Sequence, residues 1–238
     1  MAQLTLFGSS DVVITDDDRG RIVYTPAFVD AATAVRWFDE LRRSVPWRSE
    51  KRMMYDREVD VPRLLGSYRL DPAAPSTPFD GAQGAVSVSR TTPAAILEAR
   101  DRVVGHLGVP FNAVGLNLYR DGRDSVAPHN DHLNEIQEGF PIALVSLGAT
   151  RRMTIREKEG RRAATHVDLE SGSLFVMDYA TQLHYTHGVP KTNDAVGERI
   201  SLAFRVKRPR GSTDAHRALS DVEGRRGSSG SADTGIYK

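Results

Sequence analysis

The chain has 238 residues, 39% of them hydrophobic, and a formal net charge of +1. That is enough apolar content for one substantial core and too little charge imbalance to argue alone for a polyanionic partner. It contains no cysteine, which excludes disulfides, thiolate-bound zinc, iron–sulfur clusters and a cysteine nucleophile, so any metal must use His, Asp or Glu.

The amino terminus, MAQLTLFGSSDVV, lacks the basic and apolar regions of a signal peptide, and no apolar run approaches membrane-spanning length. A cytoplasmic protein without membrane contact is expected. Residues 1–20 read as a flexible segment, and the first clear element follows Asp30, an N-cap residue before Ala34, Trp37, Phe38 and Leu41 at helical spacing. A second helix is expected from Thr92, with Pro93 at its first position, Ile96, Leu97, Val103, Val104 and Leu107 inward, and Gly108 as its stop. Between them the turn-rich run over 71–84 predicts a loop or hairpin. From residue 111 the pattern changes to short strands: FNAVGLNLY, PIALVSLG, RMTIRE, THVDLE, GSLFVMD, HYTHGVP and RISLAFRVK. Two helices followed by such a series predict an α+β, mainly β fold, a sandwich or barrel with helices behind it, over residues 21–208. The Gly/Ser-rich stretch 209–238 reads as a disordered tail.

Bases cluster although the total charge is small. Residues 42–63 hold seven Arg or Lys against four acids, and 151–162 hold six against two, with Trp47 and Tyr55 interleaved in the first. A solvated face is the simpler reading of either segment; together they suggest a rim facing nucleic acid.

His129 and Asp131 stand two apart, so on a strand both leave the same face and can share one cation. His166 and Asp168 show the same spacing, so the pair alone is weak evidence. A second imidazole from a distant strand would complete two His and one carboxylate, the facial triad of non-haem Fe(II) oxygenases. HYTHGVP offers His187 and His184. Arg199 and Arg205 lie six apart on an otherwise apolar strand, hence on one face. Two inward arginines need an anion, and a dicarboxylate suits them.

With NLYRDGRDSVAPHND, SLGATRRM, GSLFVMD…HYTHGVP and RISLAFR in that order, the sequence resembles the AlkB family of Fe(II)/2-oxoglutarate nucleic-acid demethylases over roughly residues 55–207. The resemblance implies a double-stranded β-helix, or jelly roll, with the helices against one sheet. It implies His129, Asp131 and His187 as metal ligands, with His184 and His166 left as ordinary hydrogen-bonded residues. It further implies Asn117 and Tyr119 as hydrogen-bond partners of 2-oxoglutarate, Arg199 on its distal carboxylate and Arg205 near the metal end. The implied chemistry consumes O2 and 2-oxoglutarate at Fe(II), hydroxylates an N-methyl group, and releases formaldehyde, succinate and CO2.

VDVPRLLGSY, 59–68, resembles the family's nucleotide-recognition lid, which makes Tyr68 the candidate contact to a flipped base and Arg63 to a phosphate, with Arg151 and Arg152 adding backbone contacts. The expected partner is alkylated DNA, single- or double-stranded, or RNA. Leu133 stands where many relatives carry a carboxylate, with His132, Asn134 and Glu135 as neighbours that could replace it. A 2-oxoglutarate hydroxylase of protein or small molecules is the alternative enzyme, and a silent nucleic-acid-binding module a third reading. Gln3, Leu4, Thr5, Leu6 and Phe7 spell QLTLF, which resembles the peptide by which bacterial replication and repair proteins dock on the sliding clamp. A monomer is expected.

Overall fold

The computed structural model of the chain describes residues 10–54, 57–70, 91–159 and 163–208. QLTLF, Tyr55, the turn-rich stretch 71–84 and the tail from 209 onward lie outside the described residues.

A hairpin that the sequence reading missed comes first. β1 (Val12–Asp17) and β2 (Gly20–Thr25) pair antiparallel, so an element stands where a flexible segment was expected. β1 is a mostly exposed edge strand, and its VVITDD carries too little alternation to betray it. Asp30 then caps α1 (Ala31–Ser44): its Oδ1 accepts from the Thr33 backbone N–H at 2.9 Å and its Oδ2 from the Thr33 hydroxyl at 2.8 Å. β3 (Lys51–Met54) and β4 (Arg57–Asp60) form a separate two-stranded hairpin, and β5 (Leu64–Arg69) follows. α2 (Ala94–Leu107) ends at Gly108 in the left-handed conformation, φ 67°, as expected. Its start lies slightly later than the sequence suggested, with Pro93 as the cap residue. Pro93 has no side-chain donor or acceptor, and the Ala95 N–H is met instead by Glu40 of α1 at 3.2 Å.

Seven of the remaining strands fall within the expected segments, β6 (Ala113–Tyr119), β8 (Ile142–Gly148), β9 (Arg151–Glu157), β10 (Thr165–Leu169), β11 (Leu174–Met177), β12 (Tyr185–Val189) and β13 (Arg199–Arg205), and β7 (Val126–His129) is an additional short strand outside them. One helical turn, α3 (Thr181–His184), precedes β12. Two antiparallel sheets result, in the orders β1-β2-β11-β8-β13-β6-β5 and β10-β9-β12-β7. This is the double-stranded β-helix: from β6 to β13 the chain passes back and forth between the sheets, except at the β9–β10 hairpin, which stays in the smaller one.

Each face of the seven-stranded sheet has its own core. The outer face, including Leu116, Leu118, Leu147, Ile200, Leu202 and Phe204, packs under α1 and α2 through Trp37, Leu41, Ile96 and Val103. Burying side chains of this size contributes about 1.5–3 kcal/mol each. Leu97, expected inward, is exposed, and the small Ala95 and Ala99 take the contact instead, which lets the helices approach closely. The inner face meets the smaller sheet through Ile142, Leu144, Met153, Ile155, Leu169 and Phe175. The functional residues lie at the open end of this second core.

Gly148 shows how tightly α1 is seated. Its φ is +84°, and a Cβ there would stand 2.5 Å from the Glu198 carbonyl oxygen and 2.8 Å from the Phe38 ring. Gly148→Ala should therefore lower the unfolding free energy by about 1–3 kcal/mol, read as an earlier urea midpoint at unchanged m-value.

Candidate active site

β12 runs antiparallel to β7 with His187 directly opposite His129, so the strand register alone brings two imidazoles from distant segments together. Their ring centroids are 4.5 Å apart. Asp131 follows two residues after His129, and the ligand atoms of His129, Asp131 and His187 all lie within 4.8 Å of one another. Among the described residues this is the group of acids and imidazoles able to converge on one ion.

The orientation of each ligand is fixed from behind. His129 Nδ1 is 3.0 Å from the Ala127 carbonyl oxygen; since a carbonyl only accepts, Nδ1 carries the proton and Nε2 keeps the lone pair a metal needs. The Asp131 backbone N–H donates to Gln182 Oε1 at 3.1 Å. Arg205 donates through Nε to Asp131 Oδ2 at 2.7 Å. Gly115 makes room for that contact, because a Cβ on it would stand 3.2 Å from Arg205 Nη1. Burial would raise the Asp131 pKa, but the charge and hydrogen bond of Arg205, with the two imidazoles, outweigh it and hold the carboxyl at about 2. Burial, aided by His129, pushes His187 down to about 4, and burial also lowers His129. At neutral pH the set is two neutral imidazoles and a carboxylate, a donor set that fits Fe(II).

Arg199 is 1% exposed and directly across the sheet from Tyr119. Its Nη2 donates to Ser146 Oγ at 2.8 Å, while Nε and Nη1 are buried without a hydrogen-bond partner. Its guanidinium carbon lies 5.1 Å from the Tyr119 ring centroid, a contact that favours the charge without satisfying those two N–H groups. Burial, and the charge of Arg151 nearby, lower the guanidinium's pKa, yet arginine does not release its proton in proteins. A buried cation with two unused donors is a site for a carboxylate. Asn117, opposite Ser201, stands on the same face. The residues present thus fit both halves of an Fe(II)/2-oxoglutarate centre.

Three expected nucleic-acid contacts, Tyr68, Arg63 and Arg151, are corrected, and the fourth, Arg152, is found in a surface ion pair. Tyr68 lies opposite Val114, is 2% exposed and packs in the core beneath the helices, on the sheet face away from the metal ligands. Strand alternation places Ser67 and Arg69 on the inner face, where both line a cavity of about 140 Å³ with Gly115, Asp131, His132 and Glu135, a cavity that Tyr68 also borders. Arg63 points inward, its Nε donating to Asn117 Oδ1 at 2.7 Å. Arg151 is 3% exposed. It caps three main-chain carbonyls, those of Asp121 at 3.0 Å, Asp124 at 2.9 Å and Pro190 at 2.7 Å, and lies 5.5 Å from the Tyr119 ring centroid. Arg152 is exposed but pairs with Asp168 through Nε at 2.8 Å and Nη2 at 3.1 Å.

That pairing also settles the second H-x-D motif. Asp168 holds Arg152, His166 Nδ1 meets Thr154 Oγ1 at 3.2 Å, and neither joins the metal cluster. His184, expected as an ordinary hydrogen-bonded residue, is exposed at the end of α3. Leu133 turns into the inter-sheet core. A turn closed by Glu135 N–H to His132 O at 3.0 Å carries Glu135 to the cavity instead, where Lys207 pairs with it at 2.7 Å and keeps its pKa low. Ser146 and Gln182 were missed. Ser146 had a signal as the lone polar residue in IALVSLG; Gln182 had none.

The 2OG-Fe(II) oxygenase superfamily model matches residues 21–205. The chain is 29% identical over 210 residues to alpha-ketoglutarate-dependent dioxygenase alkB homolog 3 of Bos taurus, covering 85% of this chain and 71% of that one. It is 32% identical over 193 residues to DNA oxidative demethylase ALKBH2 of Mus musculus, covering 76% and 78%. This chain belongs to the AlkB family of 2OG-Fe(II) oxygenases. The solved structure of OsALKBH1 shares the fold, with a TM-score of 0.51 at 15% identity over 77% of this chain and 97% of that one.

As an AlkB-family oxygenase the chain requires Fe(II), 2-oxoglutarate and O2. Asp131→Ala should abolish Fe(II) retention, measured by titration with Mn(II) as a redox-silent probe, whereas His166→Ala should bind as the unaltered protein does. A second expectation concerns pH. The folded pKa of His187, about 4, lies below its ordinary 6.5. Its contribution to stability is therefore fully present above pH 6.5 and lost as pH falls toward 4, at ~1.4 kcal/mol per pH unit for one proton. Urea unfolding with a chelator present should show that slope added to the same-signed one of His129, and His187→Gln should make the pH dependence shallower without abolishing it.

Proposed function

We propose that this chain oxidatively demethylates N-alkylated bases in nucleic acid, with Arg199, Asn117 and Tyr119 binding 2-oxoglutarate and His129, Asp131 and His187 binding Fe(II). The observation that carries the reading is the fully buried Arg199 with two unpartnered N–H groups on the sheet that faces the two-His, one-carboxylate cluster.

Bound Fe(II), with 2-oxoglutarate and O2, supplies the oxidising equivalent that inserts one oxygen into an N-methyl C–H bond, succinate and CO2 being the coproducts. The hydroxymethyl group then leaves its nitrogen as formaldehyde. The protein's own residues do the rest. Arg199, steadied by Ser146, pairs with the distal carboxylate of the cosubstrate. Arg205 keeps Asp131 ionised and aimed, and Gln182 anchors its backbone. The cavity of Ser67, Arg69, His132 and Glu135 beside Asp131 receives the base; both of its carboxylates are already paired, Glu135 with Lys207 and Asp131 with Arg205. The relatives' names, an ALKBH2 DNA demethylase among them, support nucleic acid over a small molecule.

DNA as the specific client, a monomeric state, cytoplasmic residence and docking of Gln3, Leu4, Leu6 and Phe7 on a sliding clamp are finer proposals resting on sequence. A MAQLTLFGSS peptide that fails to bind a bacterial clamp sinks the last.

Methylated oligonucleotides, single- and double-stranded, offered with Fe(II) and 2-oxoglutarate should yield formaldehyde and repaired base in equal amounts; cosubstrate turnover without repaired base would favour the hydroxylase alternative. Arg199→Met should weaken 2-oxoglutarate binding by about 1.5–3 kcal/mol, roughly 10- to 150-fold, measured by calorimetry. The same variant should unfold at equal or higher urea concentration, because a buried unpaired charge has been removed. Loss of stability together with unchanged cosubstrate affinity would refute the assignment.

A further inference from the structure

Arg63 is half-buried and bonded to the site rather than turned to solvent. Its Nε donates to Asn117 Oδ1 at 2.7 Å and its Nη1 to the Ser125 carbonyl oxygen at 3.2 Å. The chain around it is sewn to the same loop, since the Ser125 N–H donates to the Pro62 carbonyl at 2.8 Å. One residue earlier, the Val61 N–H donates to the Glu50 carbonyl at 2.8 Å and closes the base of the β3–β4 hairpin. Three consecutive residues therefore connect a projecting hairpin to the side chain of Asn117.

A guanidinium offers donors only. The Asn117 atom facing Arg63 must be the amide oxygen, which turns the amide NH2 away from Arg63. Asn117 lies opposite Ser201 on the sheet face that carries Tyr119 and Arg199. An NH2 group there attracts an incoming carboxylate or keto oxygen, whereas an amide turned by half a rotation presents an acceptor and repels it. Nothing in the shape of a side-chain amide distinguishes the two orientations, so the partner on the far side decides.

We propose that Arg63 is a positioning residue for the cosubstrate: it locks the Asn117 amide with its NH2 toward the 2-oxoglutarate site and so links the exit of the β3–β4 hairpin to cosubstrate binding. The proposal rests on the reading of Asn117 as a 2-oxoglutarate ligand. Its consequence is reciprocal: whatever shifts the hairpin, a bound nucleic-acid strand included, alters cosubstrate affinity, and 2-oxoglutarate alters strand affinity by the same factor.

The test is calorimetry of 2-oxoglutarate on the full chain loaded with Mn(II), which permits no turnover. Arg63→Met should raise the Kd about 5- to 20-fold, the loss of one charge-assisted hydrogen bond's worth of orientation. Asn117→Ala should weaken binding as well, and Arg63→Met added to Asn117→Ala should have no further effect. Asn117→Asp, which presents an acceptor whichever way it turns, should bind less tightly than Asn117→Ala. With Fe(II), Arg63→Met should raise the KM for 2-oxoglutarate while leaving kcat at saturation within about twofold.

A Kd unchanged by Arg63→Met while Asn117→Ala weakens binding overturns the positioning role and leaves the function intact. Additive losses in the double variant overturn it too, since Arg63 would then act through Ser125. Should Arg63→Met unfold, Asn117→Asp decides alone: affinity equal to or above that of Asn117→Ala refutes an orientation-dependent amide. An Asn117→Ala that binds as tightly as the unaltered chain removes Asn117 from the cosubstrate site, a separate failure of the underlying reading.

Discussion

The ion pair between Arg205 and Asp131 joins the two sheets at the site. Arg205 ends β13 in the seven-stranded sheet, Asp131 follows β7 in the four-stranded one, and the contact is 2.7 Å with the carboxylate 7% exposed. A carboxylate that deep would ordinarily take up a proton. The guanidinium prevents it, and the same contact points Asp131 at the two imidazoles. Removing either partner would leave a buried charge uncompensated, a cost of about 3–5 kcal/mol, so metal geometry and sheet packing rest on one interaction.

Around it the seven-stranded sheet separates stability from chemistry by alternation. On β6, Leu116 and Leu118 face the helices while Gly115, Asn117 and Tyr119 face the site; on β13, Ile200, Leu202 and Phe204 face the helices while Arg199, Ser201 and Arg205 do not. The apolar half holds a rigid platform. The other half carries charges that would be costly in a core: Arg205 meets the Asp131 carboxylate, and Arg199 keeps two buried nitrogens unpaired. Arg199 is the clearest case: it is buried with one hydrogen bond, to Ser146.

The arginines sort by depth rather than by where they cluster in sequence. Arg151 and Arg152 are neighbours on β9 and point to opposite faces, one into three carbonyls and the other onto Asp168. Arg151 is buried among main-chain carbonyls, and Arg152 stands at the surface in an ion pair. A count of bases over 151–162 could not see this, because pleating separates adjacent side chains and pairing neutralises them. The same pleat buries Tyr68 in the core beneath the helices and turns its neighbours Ser67 and Arg69 to the inner face.

The sequence by itself determined what short-range spacing and one-faced alternation encode. Asp30 and Gly108 bounded helices, seven apolar runs became strands, and the two-residue step of His129 and Asp131 with the six-residue step of Arg199 and Arg205 marked the metal and anion sites. Tertiary structure decided everything that depends on which strand lies beside which. It chose His187 over His184, since only His187 falls in register with His129, and it spent His166 and Asp168 on Thr154 and Arg152. It also turned Arg63 toward Asn117, a partner 54 residues away, and it brought Gln182 from a single helical turn to the Asp131 backbone. Those contacts join residues with no fixed offset in the chain, so no local pattern can carry them; they follow from the packing of two sheets whose facing surfaces are set by the fold as a whole.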